Sequence, residues 1–438
     1  MGDFSGLAYL AETPDRSAYR LMNVTLDTLD TLCERIAPAL QLETGLDSQP
    51  LTLAFRSLED FHPDNICRQL QLLDPAAFEV FSTDAAAPEQ QAQDAQSPSA
   101  PAESERDTVE RLLGKRSVEI ERQRAGVGGV SNARRSLIQD VVRHLANRAD
   151  TSETTTPVET RIDAIAATSK LRALLHAPEF KTLEATWRSL DWLLRSVEAD
   201  ENTTYYLLDI AESSLRHEIG NGGEVADSGL YRDLQGQVAG DVGDHSDLLL
   251  IGDLYFGISP DHIQLLDALG QLVSGLGGTL VTAADSDIFD QSPAPALLTA
   301  WEQFRKAPVS QHILLALPRI LLRLPYGKTT DPIDAFDFEE LEGHEPDRLL
   351  WGNPAFACAI LMLQPARGTP SEPVSAILEM PSYSYRADDV SHLQPCTEQQ
   401  YSERQIDRLL SLGLIPILGS QRSNIIQVPW LQSMAIDV

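Results

Sequence analysis

The sequence is short of cysteine, of positive charge and of long apolar runs, and each shortage removes a class of protein. Four cysteines occur in 438 residues, at Cys33, Cys67, Cys358 and Cys396. None forms a CxxC pair and none has a histidine at zinc-finger spacing, so neither a disulfide framework nor a zinc finger fits, and the four read as buried thiols in a reducing compartment. Lysine and arginine number 34 against 65 aspartates and glutamates, a net charge of −31. Nucleic acid and anionic membrane surfaces recruit a concentrated basic face, so both are poor partners for this chain. The most apolar stretch, residues 313–325, is broken by Arg319 and Arg323 and is too short to cross a bilayer. Residues 1–16 carry neither the basic start nor the apolar stretch of a secretory leader, so a cytoplasmic protein without membrane insertion is expected.

What remains is ordinary globular material: 42% hydrophobic and 23% charged residues, in a chain long enough for about three domains and a large core. Residues 82–106 are rich in Ala, Gln, Ser, Pro and Glu and almost free of large apolar side chains, which predicts a disordered linker between a module of residues 1–81 and one of residues 107–438. In the first module Leu26, Leu29, Leu32, Ile36 and Leu40 keep helical spacing, with Pro38 set to end the helix early. Leu51, Leu53 and Phe55 then alternate with Thr52, Ala54 and Arg56 as in a half-buried strand, and Pro63 with Asp64 suits a first helical turn.

The second module opens with a weakly apolar helix near 135–147, a threonine-rich break at 151–156 and a helix running into His176. Phe180, Leu183, Trp187, Leu190, Leu194 and Val197 follow at alternating spacings of three and four, the strongest helical signal in the chain. Strand candidates at 203–210, 247–251, 279–284 and 312–317 alternate with helices at 260–273 and 296–306, the first of these capped by Ser259. An apolar helix opens at Asn353-Pro354, another spans 397–412 and stops at Gly413, and 414–418 is a buried strand. The fold class is therefore α/β: a layered core with a mixed, mostly parallel sheet flanked by helices, plus a small α+β N-terminal module.

Catalytic patterns fail on their chemistry. Gly327-Lys328-Thr329-Thr330 resembles the end of a phosphate-binding loop, but Leu322 stands where its first glycine belongs, so a turn is expected. Gly275-Leu276-Gly277-Gly278 follows a helix and precedes a strand, the reverse of a dinucleotide fingerprint, and reads as a helix stop. Ser259 lacks the final glycine of a nucleophile elbow, and no HExxH occurs. The cluster of Asp334, Asp337, Glu339, Glu340, Glu342 and Glu345 around His344 reads as a solvated acidic loop, and the five tryptophans as core packing. No catalytic, cofactor-binding or metal-binding residue is assigned.

Two sets of blocks carry a resemblance. Residues 51–64, Leu-Thr-Leu-Ala-Phe-Arg-Ser-Leu-Glu-Asp-Phe-His-Pro-Asp, resemble the strand-to-helix signature of the small sheath subunit of type VI secretion systems, the TssB/VipA family. Residues 176–190, 317–327 with 336–340, and 350–356 resemble the large sheath subunit, TssC/VipB. The likeness covers about 21–73 for the small subunit and 169–436 for the large one. It implies a non-enzymatic structural protein, because such subunits interlock into a contractile cylinder around an inner tube, are dismantled by the ATPase ClpV, and have no catalytic residues. The partners it implies are sheath subunits TssB and TssC, with baseplate proteins or ClpV as further ones. Two departures stand out: both likenesses share one chain, and the sequence stops at Val438, where a large subunit continues through a C-terminal region. The expectation is a TssB/TssC-like fusion that packs against sheath or baseplate proteins; the alternative is an adaptor that binds sheath subunits without polymerising.

Overall fold

The structure, a computed structural model, describes residues 1–4, 21–42, 51–70, 157–197, 203–220, 223–241, 248–289, 294–364, 376–387 and 390–436. The proposed linker at 82–106 and the helix proposed near 135–147 lie outside them. Met1–Ser82 and Ala164–Val438 belong to one compact unit, and Thr83–Asp163 forms the other.

Strand β1 (Met22–Asn23) leads to a single 3-10 turn and helix α1 (Leu29–Ile36). Pro38 ends that helix: Ala37 turns left-handed at φ 50°, and Leu40 moves into strand β2 (Ala39–Leu42). Strand β3 (Leu51–Ala54) pairs antiparallel with β2, and the alternation holds beyond the pairing: Leu53 and Phe55 are buried, whereas Thr52, Ala54 and Arg56 are exposed. Helix α2 (Pro63–Leu70) starts at the expected proline. Helices α3 (Pro157–Leu175) and α4 (Pro178–Ser196) follow, and all six residues of the periodic face from Phe180 to Val197 are buried. Phe55, Phe61 and the α1 residues Leu29 and Leu32 share a core with Leu171, Leu174, Phe180, Leu183 and Trp187.

Residues 203–210 are not a strand of the main sheet. Only β4 (Tyr206–Leu207) forms there, antiparallel to β1, because its backbone finds its partners in the N-terminal segment. Helices α5 (Glu212–Ile219) and α6 (Gly229–Asp241), which the sequence reading missed, precede β5 (Leu248–Phe256). Then come α7 (Pro260–Gly275), β6 (Gly278–Ala284), α8 (Pro295–Arg305) and β7 (Ile313–Leu317). Ser259 caps α7 as expected, accepting the His262 N–H at 3.2 Å, and Gly277 at φ 71° makes the exit.

The short strands β8 (Ile320–Leu321) and β9 (Trp351–Gly352) pair antiparallel beside α9 (Ala355–Leu363). The exposed pair β11 (Ser384–Ala387) and β12 (Val390–Leu393) comes after β10 (Ala376–Ile377). Helix α10 (Glu403–Ser411) begins later than expected, since Thr397 bridges to Ile320 instead and Ser402 takes the cap. Strand β13 (Leu414–Pro416) follows Gly413 at φ 80°, while Leu418 leaves the main sheet for β14 (Leu418–Gly419), which pairs with β15 (Ile426–Gln427).

The main sheet has the order β13-β7-β6-β5 and is parallel throughout. Its two faces are read off β7. Ile313, Leu315 and Leu317 face a core with α7 and α8, and Leu314 and Ala316 face one with α9 and the end of α4. This is the layered α/β arrangement, apolar on both faces as parallel strands require. Strand β5 loses register between Ile251 and Tyr255. The buried Thr282 hydroxyl donates there to the carbonyls of Gly252 and Leu254 at 3.0 and 2.9 Å, which keeps the irregularity satisfied.

Trp187 joins the N-terminus to this framework: its indole N–H donates to the Phe4 carbonyl at 3.1 Å, and the Phe4 ring meets it edge-on at 5.4 Å. Replacement Trp187→Ala should cost about 3–5 kcal/mol, read as a fall in melting temperature. An unchanged melting temperature would place the indole outside the core.

Candidate functional site

Helix α4 carries a carboxylate on its apolar face. Glu184 lies one turn after Phe180 and just before Trp187, and it is completely buried. Opposite it stands Arg323, 8% exposed, in the segment after β8. The Arg323 Nε donates to Glu184 Oε1 at 2.8 Å and Nη2 to Oε2 at 3.2 Å. Its Nη1 and Nη2 also reach the buried Glu340 at 2.8 and 3.2 Å, and Nη1 donates to the Leu324 carbonyl at 3.0 Å. All five guanidinium N–H groups are thus engaged within the chain, leaving none to hold an anion. Arg188 approaches Glu184 at 2.7 Å and donates to the Tyr326 hydroxyl at 3.1 Å, so two arginines face two glutamates. The Arg323 guanidinium also lies 4.2 Å from the Tyr326 ring centre.

The electrostatics follow from burial and pairing. Burial alone would raise the Glu184 carboxyl, but Arg323 and Arg188 outweigh it and hold the group below its ordinary range. Burial would likewise lower Arg323, yet Glu184 and Glu340 keep it well above the usual guanidinium value. Burial pushes the Tyr326 phenol up to about 12. His176 borders the cluster with its Nε2 3.9 Å from Glu340 and without a hydrogen-bond partner, and burial lowers its imidazole to about 4.

Most of the acidic segment is the solvated loop expected from its composition, with Asp334, Asp337, Glu339, Glu342 and His344 exposed, but Glu340 departs from it. Glu340 is buried against Arg323 and also accepts the Tyr326 N–H at 2.8 Å, because its carboxylate closes the charge of the arginine. Its neighbours are dispersed: Glu342 pairs with Arg172, Asp337 with Lys328, and Glu345 with Arg348, while His344 bonds Gln394 and stacks on Tyr385. Among the described residues no group of three or more His, Cys, Asp or Glu is arranged to hold a metal ion. The Gly327–Thr330 stretch is a turn, with the Thr330 N–H on the Gly327 carbonyl at 3.1 Å. The Glu339 carboxylate accepts the Lys328 N–H at 3.2 Å and stands where a phosphate would have to lie. All four cysteines are buried and free, and burial raises their thiols. Of the tryptophans Trp187, Trp301 and Trp351 are core residues, whereas Trp430 is exposed.

A second polar contact, missed in the sequence, ties α2 to the same loop. Asp64 stands in the first turn of α2 as expected, and its buried carboxylate also accepts the backbone N–H groups of Asp334 at 3.0 Å and Ala335 at 3.0 Å. The neighbouring His62 ring meets Tyr326 edge-on at 5.2 Å. The alternation at 51–56 and the signature at 51–64 marked this segment in the sequence, but neither pointed to the contact with residues 334 and 335.

A parallel sheet buried on both faces, with an ion cluster that ties α4 to residues 323–340, defines a layered α/β packing module. The VipB family model, described as the EvpB/VC_A0108 tail sheath N-terminal domain, matches residues 159–434. That is more than half of the chain, which therefore belongs to this tail sheath family. The type VI secretion system sheath protein TssC1 of Pseudomonas aeruginosa is 26% identical over 323 residues, covering 66% of this chain and 65% of that protein. The chain thus spans about 65% of the length of the curated relative it matches. Residues 51–64, with their small-subunit resemblance, lie outside the matched stretch.

His176 supplies a measurable signature of the cluster. Its folded value near 4 lies below the ordinary 6.5, so between these pH values the unfolded chain takes up a proton that the folded chain refuses. Stability then falls as the pH drops through that window. His176→Gln should lose less melting temperature than the native chain on going from about pH 7 to about pH 4.5. Equal losses would show that the imidazole is not held neutral.

Proposed function

We propose that the chain is a non-enzymatic, cytoplasmic structural component of a type VI secretion apparatus. In this reading it is a TssB/TssC-like fusion that packs against contractile sheath or baseplate proteins. The tail sheath match over residues 159–434 carries the reading. The self-satisfied ion cluster supports it, since a site with every donor engaged suits rigid packing better than turnover. The small-subunit resemblance of residues 51–64 supports the fusion, because that segment lies in the same compact unit as residues 164–438. Sheath subunits TssB and TssC are the partners on this reading, with baseplate proteins and ClpV as further candidates.

The net charge of −31 opposes close packing of identical copies, most strongly at low salt, and is screened over a Debye length of about 10 Å at about 0.1 M salt. Sedimentation across a salt series, with negative-stain microscopy, tests the assignment. The purified chain alone should stay in the supernatant as a monomer or small oligomer and should pellet when full-length TssB and TssC assemble around it. Binding to unassembled subunits without pelleting would favour the adaptor. Failure to associate with sheath proteins at any salt would contradict both forms of the proposal.

A further inference from the structure

Residues 51–70 meet the rest of their compact unit as a docked partner would. The Phe55 and Phe61 rings stack at 4.2 Å with 9° between planes, and both abut Phe180 of α4, at 6.1 and 5.9 Å. Leu171, Leu174, Phe336 and Phe338 complete the apolar surround. Three residues beyond Phe61, the Asp64 carboxylate enters the loop and takes two backbone N–H groups, from Asp334 and the fully buried Ala335. Aromatic anchors beside a desolvated, hydrogen-bonded charge are the composition of an interface centre. The receiving loop is anchored from behind by Glu340 on Arg323 and on the Tyr326 N–H. In sequence the two sides are separated by residues 71–156, so a short local connection does not impose the contact.

We infer that α4 and the 333–338 loop form a docking site for a segment with the phrase Phe-x5-Phe-x2-Asp, filled in cis by Phe55, Phe61 and Asp64. The site is thereby closed to a separate small sheath-type chain bearing the same phrase. Asp64 sets the register: the two aromatic rings supply apolar area that tolerates sliding, whereas two fixed N–H donors accept an oxygen at one position only. The docking claim rests on this geometry, and its extension to a small sheath-type chain rests on the fusion reading above.

The test uses the full chain with a site-specific protease sequence inserted between residues 94 and 95. After folding and cleavage, native mass spectrometry should show the N-terminal fragment still bound. Mixing cleaved protein labelled with heavy nitrogen with cleaved unlabelled protein should yield mixed complexes. Uncleaved chain should take up no foreign fragment. An Asp64→Ala fragment should compete about tenfold or more weakly than the native one, because two N–H donors lose their acceptor. Asp64→Asn, which keeps size and one carbonyl oxygen, should fall between and guards against a variant that simply misfolds. Release of the native fragment on cleavage, absence of exchange, uptake by uncleaved chain or equal competition by Asp64→Ala would each overturn the inference. None of these readouts requires a sheath to assemble, so a failure here is distinct from failure of the assembly proposal.

Discussion

A guanidinium taken out of water must find an acceptor for every N–H and a negative charge for its own, and Arg323 imposes that demand on the middle of this fold. It is met by two carboxylates from distant parts of the chain, Glu184 on α4 and Glu340 beyond the Gly327 turn, with Arg188 restoring neutrality. Breaking such a cluster by removing one member leaves a buried charge uncompensated, which typically costs about 3–5 kcal/mol. The geometry is therefore close to all-or-none. While it holds, residues 323–340 are pinned to α4.

The consequences spread outward from that pin. Tyr326 is clamped between the Arg323 guanidinium and the His62 ring. The loop that follows presents the Asp334 and Ala335 amides to Asp64. Helix α4 shares its two ends between cores: Phe180, Leu183 and Trp187 pack with the N-terminal segment, and Leu193 and Val197 pack beneath the parallel sheet with α9. One helix thus couples the sheet, the loop and the N-terminal segment. Blocks that carried the large-subunit resemblance, residues 176–190, 317–327 and 336–340, are the ones that meet in the cluster, through His176, Glu184, Arg323 and Glu340.

The parts legible in the sequence were those with a period. The face from Phe180 to Val197 repeats at 3.6, β3 alternates at 2, and β6 and β7 are apolar on both faces, so each declared its structure locally. Short elements whose pairing comes from far away did not: residues 203–210 read as one strand, but only Tyr206 and Leu207 form one, against Asn23 and Met22, while Leu208 and Ile210 bond the backbone of Gly2. The cluster was hidden because charged residues are read as solvated by default. A signal was present all the same. Glu184 sits on the apolar face of α4, and Arg323 interrupts the most apolar run in the chain, so two opposite charges stand where water is excluded. Glu340 falls in step with Phe336 and Phe338, a period of two that an acidic run masks, and Asp64 reads as an ordinary first-turn acid.

If Arg323 organises the loop that receives Asp64, disturbing it must be felt in the N-terminal segment, with which, among the described residues, it shares no direct hydrogen bond. Hydrogen–deuterium exchange of the full chain carrying Arg323→Met measures that coupling, since methionine keeps bulk while removing the charge and donors. The account predicts that amide protection falls both in residues 323–342 and in residues 55–70, with the parallel strands β6 and β7 unchanged. Loss confined to 323–342, with 55–70 protected as in the native chain, would contradict it.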